Sequence, residues 1–239
     1  MSASAASLAF DENRYILEQG RPKVAVTIDN RGEEAALVQV SLDWVEPGED
    51  ADQEVPLAVS KPLRQIAADQ SATVEIFYQG VGLPKDRESA FFLNILDVPM
   101  IRELESETAI PVRLAARHRL KLFYRPLLAM SPELARDALR WSRVDKDGGT
   151  SVNVENTSPY FVTMVEIGAL DQVGEDCGQP VIHLMVPPFA SVQQDFQGCK
   201  GLLSHVQYRY VSDSGRELPY RASLHDGIAQ ATNDKGERI

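Results

Sequence analysis

Hydrophobic and polar residues alternate along most of this chain. Val38, Val40, Leu42 and Trp44 are separated by Gln39, Ser41 and Asp43, the period-two pattern of a strand with one buried face. The same alternation runs through Ala72-Thr73-Val74-Glu75-Ile76-Phe77-Tyr78, Ser151-Val152-Asn153-Val154-Glu155 and Val206-Gln207-Tyr208-Arg209-Tyr210. Phe91-Phe92-Leu93-Asn94-Ile95-Leu96 is apolar on both phases, which predicts a strand covered on both faces. Turn chemistry separates these runs, at Glu46-Pro47-Gly48, Lys146-Asp147-Gly148-Gly149, Asn156-Thr157-Ser158-Pro159 and Ser212-Asp213-Ser214-Gly215. Many short strands at regular spacing predict a sandwich or a barrel. Helix is confined to short pieces such as Pro132 to Leu139, entered from a Ser131 cap.

One run is longer than the rest. From Val112 to Tyr124, Val112, Leu114, Ala116, His118, Leu120 and Leu122 hold one phase, and Arg113, Arg117, Arg119 and Lys121 the other. Strands are most often about 5–6 residues long, so a solvated basic face does not account for the length. Arg125-Pro126 follows, and a proline ends the ladder. The boundary placed there divides the chain into residues 1–124 and 125–239, both of ordinary sandwich size.

Composition narrows the function classes. Of 239 residues, 24 are basic and 35 acidic, giving a formal charge of -11, against the basic footprint of a nucleic-acid binder. Arg119-Leu120-Lys121-Leu122-Phe123-Tyr124-Arg125 interleaves aromatic and basic residues as single-strand binders do, but the whole-chain charge weighs against that reading. No apolar run approaches the roughly 20 residues that cross a bilayer, so no membrane insertion is expected. The small residues of Met1-Ser2-Ala3-Ser4-Ala5-Ala6 fit either the stump of a cleaved leader or a polar disordered start. Cys177 and Cys199, both in loop-like surroundings, fit one disulfide made in an oxidising compartment, the alternative being two separate thiols. Such a bridge would be worth ~3 kcal/mol by loop closure.

Catalytic signatures are missing. His118, His183, His205 and His225 are scattered, without paired carboxylates, a cysteine partner or a zinc-ligand spacing. No glycine-rich phosphate cradle, Gly-x-Ser-x-Gly elbow or His-Glu-x-x-His helix is present. His118 reads as a partly buried core histidine rather than a ligand or base. The expectation is a protein that is not an enzyme and takes no cofactor or metal.

Specific motifs then converge on one family. Leu83-Pro84-Lys85-Asp86-Arg87-Glu88-Ser89-Ala90-Phe91-Phe92-Leu93-Asn94 and the strand ending Leu120-Lys121-Leu122-Phe123-Tyr124-Arg125-Pro126 resemble the two signatures of periplasmic pilus (fimbrial) chaperones of the chaperone-usher pathway. Asn156-Thr157-Ser158-Pro159-Tyr160-Phe161, Val186-Pro187-Pro188-Phe189 and Tyr208 to Gly215 are similar to weaker motifs of that family, in the same order, so the likeness runs from about Leu8 to Ala222. It implies an all-β chain of two immunoglobulin-like β-sandwich domains arranged as an L or boomerang. It also implies a periplasmic location, with pilus subunits and an outer-membrane usher as partners.

The mechanism implied is donor-strand complementation. A pilus subunit lacking its last strand exposes an apolar groove and unpaired backbone groups, which the chaperone's long strand covers. Ile110, Val112, Leu114 and Ala116 would fill the groove, at roughly 1–3 kcal/mol each and less for Ala116; alternation alone equally allows them to be the chain's own core. By resemblance, Arg14 on the first strand and Lys121 near the inter-domain cleft bind the subunit's C-terminal carboxylate. Glu88, Arg125 and Asp213 match the family's ion triad between the domains. Pro111 removes one ladder donor from the donor segment, and the cysteines are more widely spaced than in some relatives. The short stretch from Pro99 to Leu120 resembles the branch serving rod-like pili. Self-dimerisation of the free protein through the donor strand stays open. The competing reading is an immunoglobulin-like structural or adhesive pilus or surface subunit, which should carry an N-terminal donor extension or an incomplete second domain; the start before Leu8 has no alternating apolar stretch to serve as such an extension.

Overall fold

The computed structural model describes residues 8–45, 54–99, 115–146, 149–199, 202–224 and 229–233. They fall into two compact units: those up to Pro84 with those of Ser89–Arg125, and Lys85–Glu88 with those from Pro126 on. Both are β-sandwiches of immunoglobulin-like type.

In the first unit the strands are β1 (Leu8–Phe10), β2 (Arg14–Glu18), β3 (Lys23–Asn30), β4 (Ala36–Trp44), β5 (Leu57–Val59), β6 (Leu63–Ile66), β7 (Ser71–Tyr78), β8 (Ser89–Pro99) and β9 (Ala116–Arg125). They form sheets of order β1-β3-β7-β5 and β2-β9-β8-β4-β6. Alternation decides what each strand buries. Val38 and Val40 of β4, Val74 and Ile76 of β7, and Phe91, Leu93 and Ile95 of β8 all point into one core. The other phase of β8 is covered differently from the two-layer expectation. Phe92 and Leu96 are only half buried, and Asn94 is buried by neighbours on its own sheet, so no second layer is needed.

The second unit opens with a 3-10 helix, Pro132–Ala138, and continues through β10 (Leu139–Lys146), β11 (Gly149–Asn156), β12 (Val162–Asp171), β13 (Val181–Val186), β14 (Ser191–Asp195), β15 (Leu203–Val211), β16 (Glu217–Ser223) and β17 (Ala229–Asn233). Ser131 stands at the helix entrance, but its hydroxyl makes no capping bond; Leu134 N–H donates to the Ser131 carbonyl at 3.1 Å instead. The sheet order is β13-β12-β15-β16-β17-β10-β11-β14, with β17 pairing to both β16 and β10 and so joining the two layers. Trp141, Val152, Val154, Val162, Met164 and Val206 are fully enclosed between them.

The two sandwiches repeat one device. Asn30, at the end of β3, donates from Nδ2 to the carbonyls of Glu34, Ile66 and Ala67 at 2.7–3.1 Å, while its Oδ1 accepts from Gly32 N–H. Asn156, at the end of β11, donates to the carbonyls of Tyr160, Val186 and Pro187 at 2.7–3.2 Å, and its Oδ1 accepts from Ser158 N–H. Each amide satisfies carbonyls that a turning chain leaves without ladder partners. This explains the Asn156-Thr157-Ser158-Pro159-Tyr160 motif as a corner. The Glu88 segment is tied to the same corner: its N–H donates to the Pro159 carbonyl and its carboxylate accepts from Phe161 N–H, both at 2.9 Å.

Cys177 and Cys199 are bridged, with Cα atoms 4.8 Å apart, linking the loop after β12 to the segment after β14. Gly178 has φ +81°, and a Cβ there would lie 2.8 Å from the Gln197 carbonyl oxygen, so the bridged loop requires glycine. The bond closes a separation of 22 residues. Replacing both cysteines with serine is expected to lower the unfolding free energy of the second unit by about 3 kcal/mol, read from urea melts.

Candidate functional site

β9 is paired unequally on its two sides. On one side β8 follows it from Asp97↔Ala116 to Ser89↔Tyr124, all but its last residue. On the other, β2 runs parallel to it and covers only Lys121 to Arg125, beginning at Arg14↔Lys121. The backbone edge of Ala116–Leu120 therefore faces no strand among the described residues. An edge of this kind accepts another chain.

Where the covered edge gives way to the open one stand two cations. Arg14 and Lys121 are register partners on parallel neighbouring strands, so their side chains leave the same face, the one opposite the core. Arg14 is only 9% exposed, and its guanidinium lies 5.9 Å from the centre of the Phe123 ring. Lys121 is half buried. Burial, and secondarily the Arg14 charge beside it, pushes the Lys121 ammonium down to about 8. Side-by-side cations in a partly desolvated place form a receptor for an anion, and a carboxylate matches their donors.

The same face carries further cations. Arg117 and Arg119 occupy the alternate positions back along β9, and both are exposed. The Arg119 guanidinium lies 4.6 Å over the Phe92 ring, and its Nε donates to Asn94 Oδ1 at 3.3 Å. Asn94 Nδ2 in turn donates to Asp43 Oδ2 at 2.8 Å. On the inward phase Leu122 closes the core, and His118 packs edge-on to Phe10 with ring centres 5.1 Å apart. The core position expected for His118 is found, but its Nε2 is buried without a hydrogen-bond partner. Asp97, 1% exposed on the same inward phase, is a buried acid that period-two reading passed over; burial raises its pKa and His118 opposes the shift.

Of the residues expected to bind a subunit, Arg14 and Lys121 are brought together, although Arg14 opens the second strand and not the first, because Leu8–Phe10 already forms a short strand before it. Ala116 opens the described part of β9, while Ile110, Val112 and Leu114, with Pro111, lie outside the described residues. No helix among the described residues is long and apolar enough to cross a membrane.

Known proteins match this arrangement over nearly the whole chain. Residues 7–128 match the family described as pili and flagellar-assembly chaperone, PapD N-terminal domain, and residues 134–222 match the pili assembly chaperone PapD, C-terminal domain. The probable fimbrial chaperone YadV of Escherichia coli (strain K12) is 31% identical over 232 residues, 93% of this chain and 92% of that one. The chaperone protein FimB/FhaD of Bordetella pertussis is 32% identical over 234 residues, 94% and 91% of the two chains. The crystal structure of YadV superposes with a TM-score of 0.75 at 30% identity, covering 91% of this chain and 99% of that one. A Salmonella enterica structure of the SafA pilin in complex with the SafB chaperone gives a TM-score of 0.75 at 25% identity, covering 93% and 99%. The chain therefore belongs to the PapD family of pilus-assembly chaperones.

Proposed function

We propose that this chaperone works in the periplasm, holding pilus subunits by lending them its long strand and delivering them to an outer-membrane usher. The observation that carries the reading is the register at Arg14 and Lys121, which puts two cations where the open edge of β9 ends. A subunit chain laid against Ala116–Leu120 gains backbone hydrogen bonds along that edge. With its terminal carboxylate on Arg14 and Lys121 it must run parallel to β9, because β2 begins at Arg14 and occupies the edge beyond. The cations thus set the register of the borrowed strand, and Ile110, Val112, Leu114 and Ala116 would alternate into the subunit's groove. A one-residue slip would turn every one of them to the wrong face, which is why an anchor is needed. The SafB chaperone's complex with the SafA pilin supports subunits as partners.

The Lys121 ammonium gives the reading a pH signature. Its free pKa lies near 8, and a bound carboxylate favours the charged form and raises that value. Below pH 8 the ammonium is already protonated, so affinity is flat. Above pH 8 binding must take up a proton, so affinity falls up to about tenfold per pH unit. Titration calorimetry of a co-purifying pilus subunit, in two buffers of different ionisation enthalpy, is expected to show proton uptake at pH 9 and little at pH 6.5. A pH-independent affinity from 6.5 to 9.5 would remove Lys121 from the contact. The same experiment on a subunit lacking its final residues is expected to show weak binding with no proton uptake.

A further inference from the structure

We infer that Arg119 selects the chemistry of the subunit's C-terminal strand, preferring an acidic side chain close to its end; this rests on the carboxylate anchoring proposed above. The inference starts from the row of side chains across the outer face of the sheet. Lys121 stands level with Phe92 and Asp43 on one side and Arg14 on the other. One row back, Arg119 stands level with Asn94 and Ser41, and the position on its other side is where β2 has not yet begun. A chain added to the open edge occupies that position. Residues two apart on a strand are separated by about 7 Å, so one of the final residues of an anchored strand comes level with Arg119.

Arg119 is held ready there. Nε is taken by Asn94 Oδ1, and Asn94 is itself fixed by Asp43. The guanidinium carbon lies over the Phe92 ring, within the range of cation–aromatic attraction. Those contacts engage Nε and one side of an exposed guanidinium, and among the described residues no carboxylate pairs with Arg119. Arg117, two residues further back, is also exposed but has no such ring or amide contact among the described residues, so it makes a looser surface cation. A planar donor fixed in one orientation loses little freedom on binding and matches a carboxylate with two parallel bonds. A cross-strand pair of opposite charge is worth a few tenths to about 1 kcal/mol, which corresponds to roughly two- to fivefold in affinity. That is enough to rank subunits competing for one chaperone without deciding whether a subunit binds at all.

The test uses synthetic extended peptides of alternating valine and threonine ending in a free carboxylate. A single glutamate or lysine is moved through the last four positions, and binding is read by amide shifts in the full chaperone. At one position glutamate is expected to bind two- to fivefold more tightly than lysine. Arg119→Ala should abolish that preference and Arg119→Glu should reverse it, a readout that a merely structural role would not give. Asn94→Ala should weaken the preference by releasing the guanidinium. A uniform loss in Arg119→Ala for all peptides, an absence of charge preference at every position, or no peptide binding by the native protein would each overturn the inference. Peptides ending in an amide separate the two claims. If amides bind as well as acids the carboxylate anchor fails, while a charge preference that still follows Arg119 survives it.

Discussion

Lys121→Ala is expected to lower the affinity for a subunit ending in a free carboxylate by roughly 30-fold to several thousandfold, with no loss of fold. Removing one partner of a desolvated, hydrogen-bonded charge pair costs about 2–5 kcal/mol of binding. In the free protein the same side chain is a burden. Its ammonium is half buried, and burial together with the neighbouring Arg14 charge disfavours the protonated form, which is why its pKa falls to about 8. An unfolded lysine binds its proton up to about pH 10.4, so the unfolded state holds more proton between pH 8 and that value. Through that window Lys121 makes the native protein more stable as pH rises. Lys121→Met, which keeps the aliphatic stem, should therefore melt at or above the native temperature at pH 7 and show a flatter stability profile between pH 8 and 10. Surface plasmon resonance against an immobilised subunit gives the affinity, and calorimetric melts give the stability. A variant that binds normally, or fails to bind because it is unfolded, would contradict this account of the residue.

The largest stability effects are expected at the two buried asparagine corners. Asn156→Ala should lower the unfolding free energy of the second unit by about 3 kcal/mol. The change removes an amide that is wholly buried and leaves the carbonyls of Tyr160, Val186 and Pro187 without the donor they share. Each such bond contributes about 1 kcal/mol net, and an orphaned buried group costs about 1–3 kcal/mol. Asn30→Ala should do the same to the first unit by exposing the lack of a donor at Glu34, Ile66 and Ala67. The two tryptophans report on the units separately, since Trp44 belongs to the first and Trp141 to the second. Urea melts followed by fluorescence, with the other tryptophan replaced by phenylalanine, give each unit's midpoint. A loss below about 1 kcal/mol in both variants would mean that water replaces the amides at little cost.

Much of this architecture could be read from alternation. The inward residues of β4, β7, β11 and β15 are those that the period-two pattern selects, because a pleated strand offers only two faces. Phe92 and Leu96 show where the pattern misleads. They are apolar on the outer phase, where among the described residues Arg119 lies over Phe92 and Leu96 stands level with the polar Gln39 and Arg117. The matched pair of Asn30 and Asn156 was not legible, since their partners lie 30 or more residues downstream as well as nearby. The one local hint is an asparagine closing an alternating run two residues before glycine or serine, as in Ile28-Asp29-Asn30-Arg31-Gly32. Arg14 and Lys121 are legible only through the family resemblance, since no spacing rule links positions so far apart in the chain. Asp97 is not legible because an acid on the apolar phase breaks the pattern near the end of β8.

A crystal structure of the chaperone bound to a pilus subunit addresses the central claim most directly. It is expected to place the subunit's final carboxylate within about 3 Å of both Arg14 and Lys121, with its last strand hydrogen-bonded to Ala116–Leu120 and parallel to β9. A subunit bound elsewhere, or one whose strand runs antiparallel with its carboxylate turned away from the two cations, would contradict it.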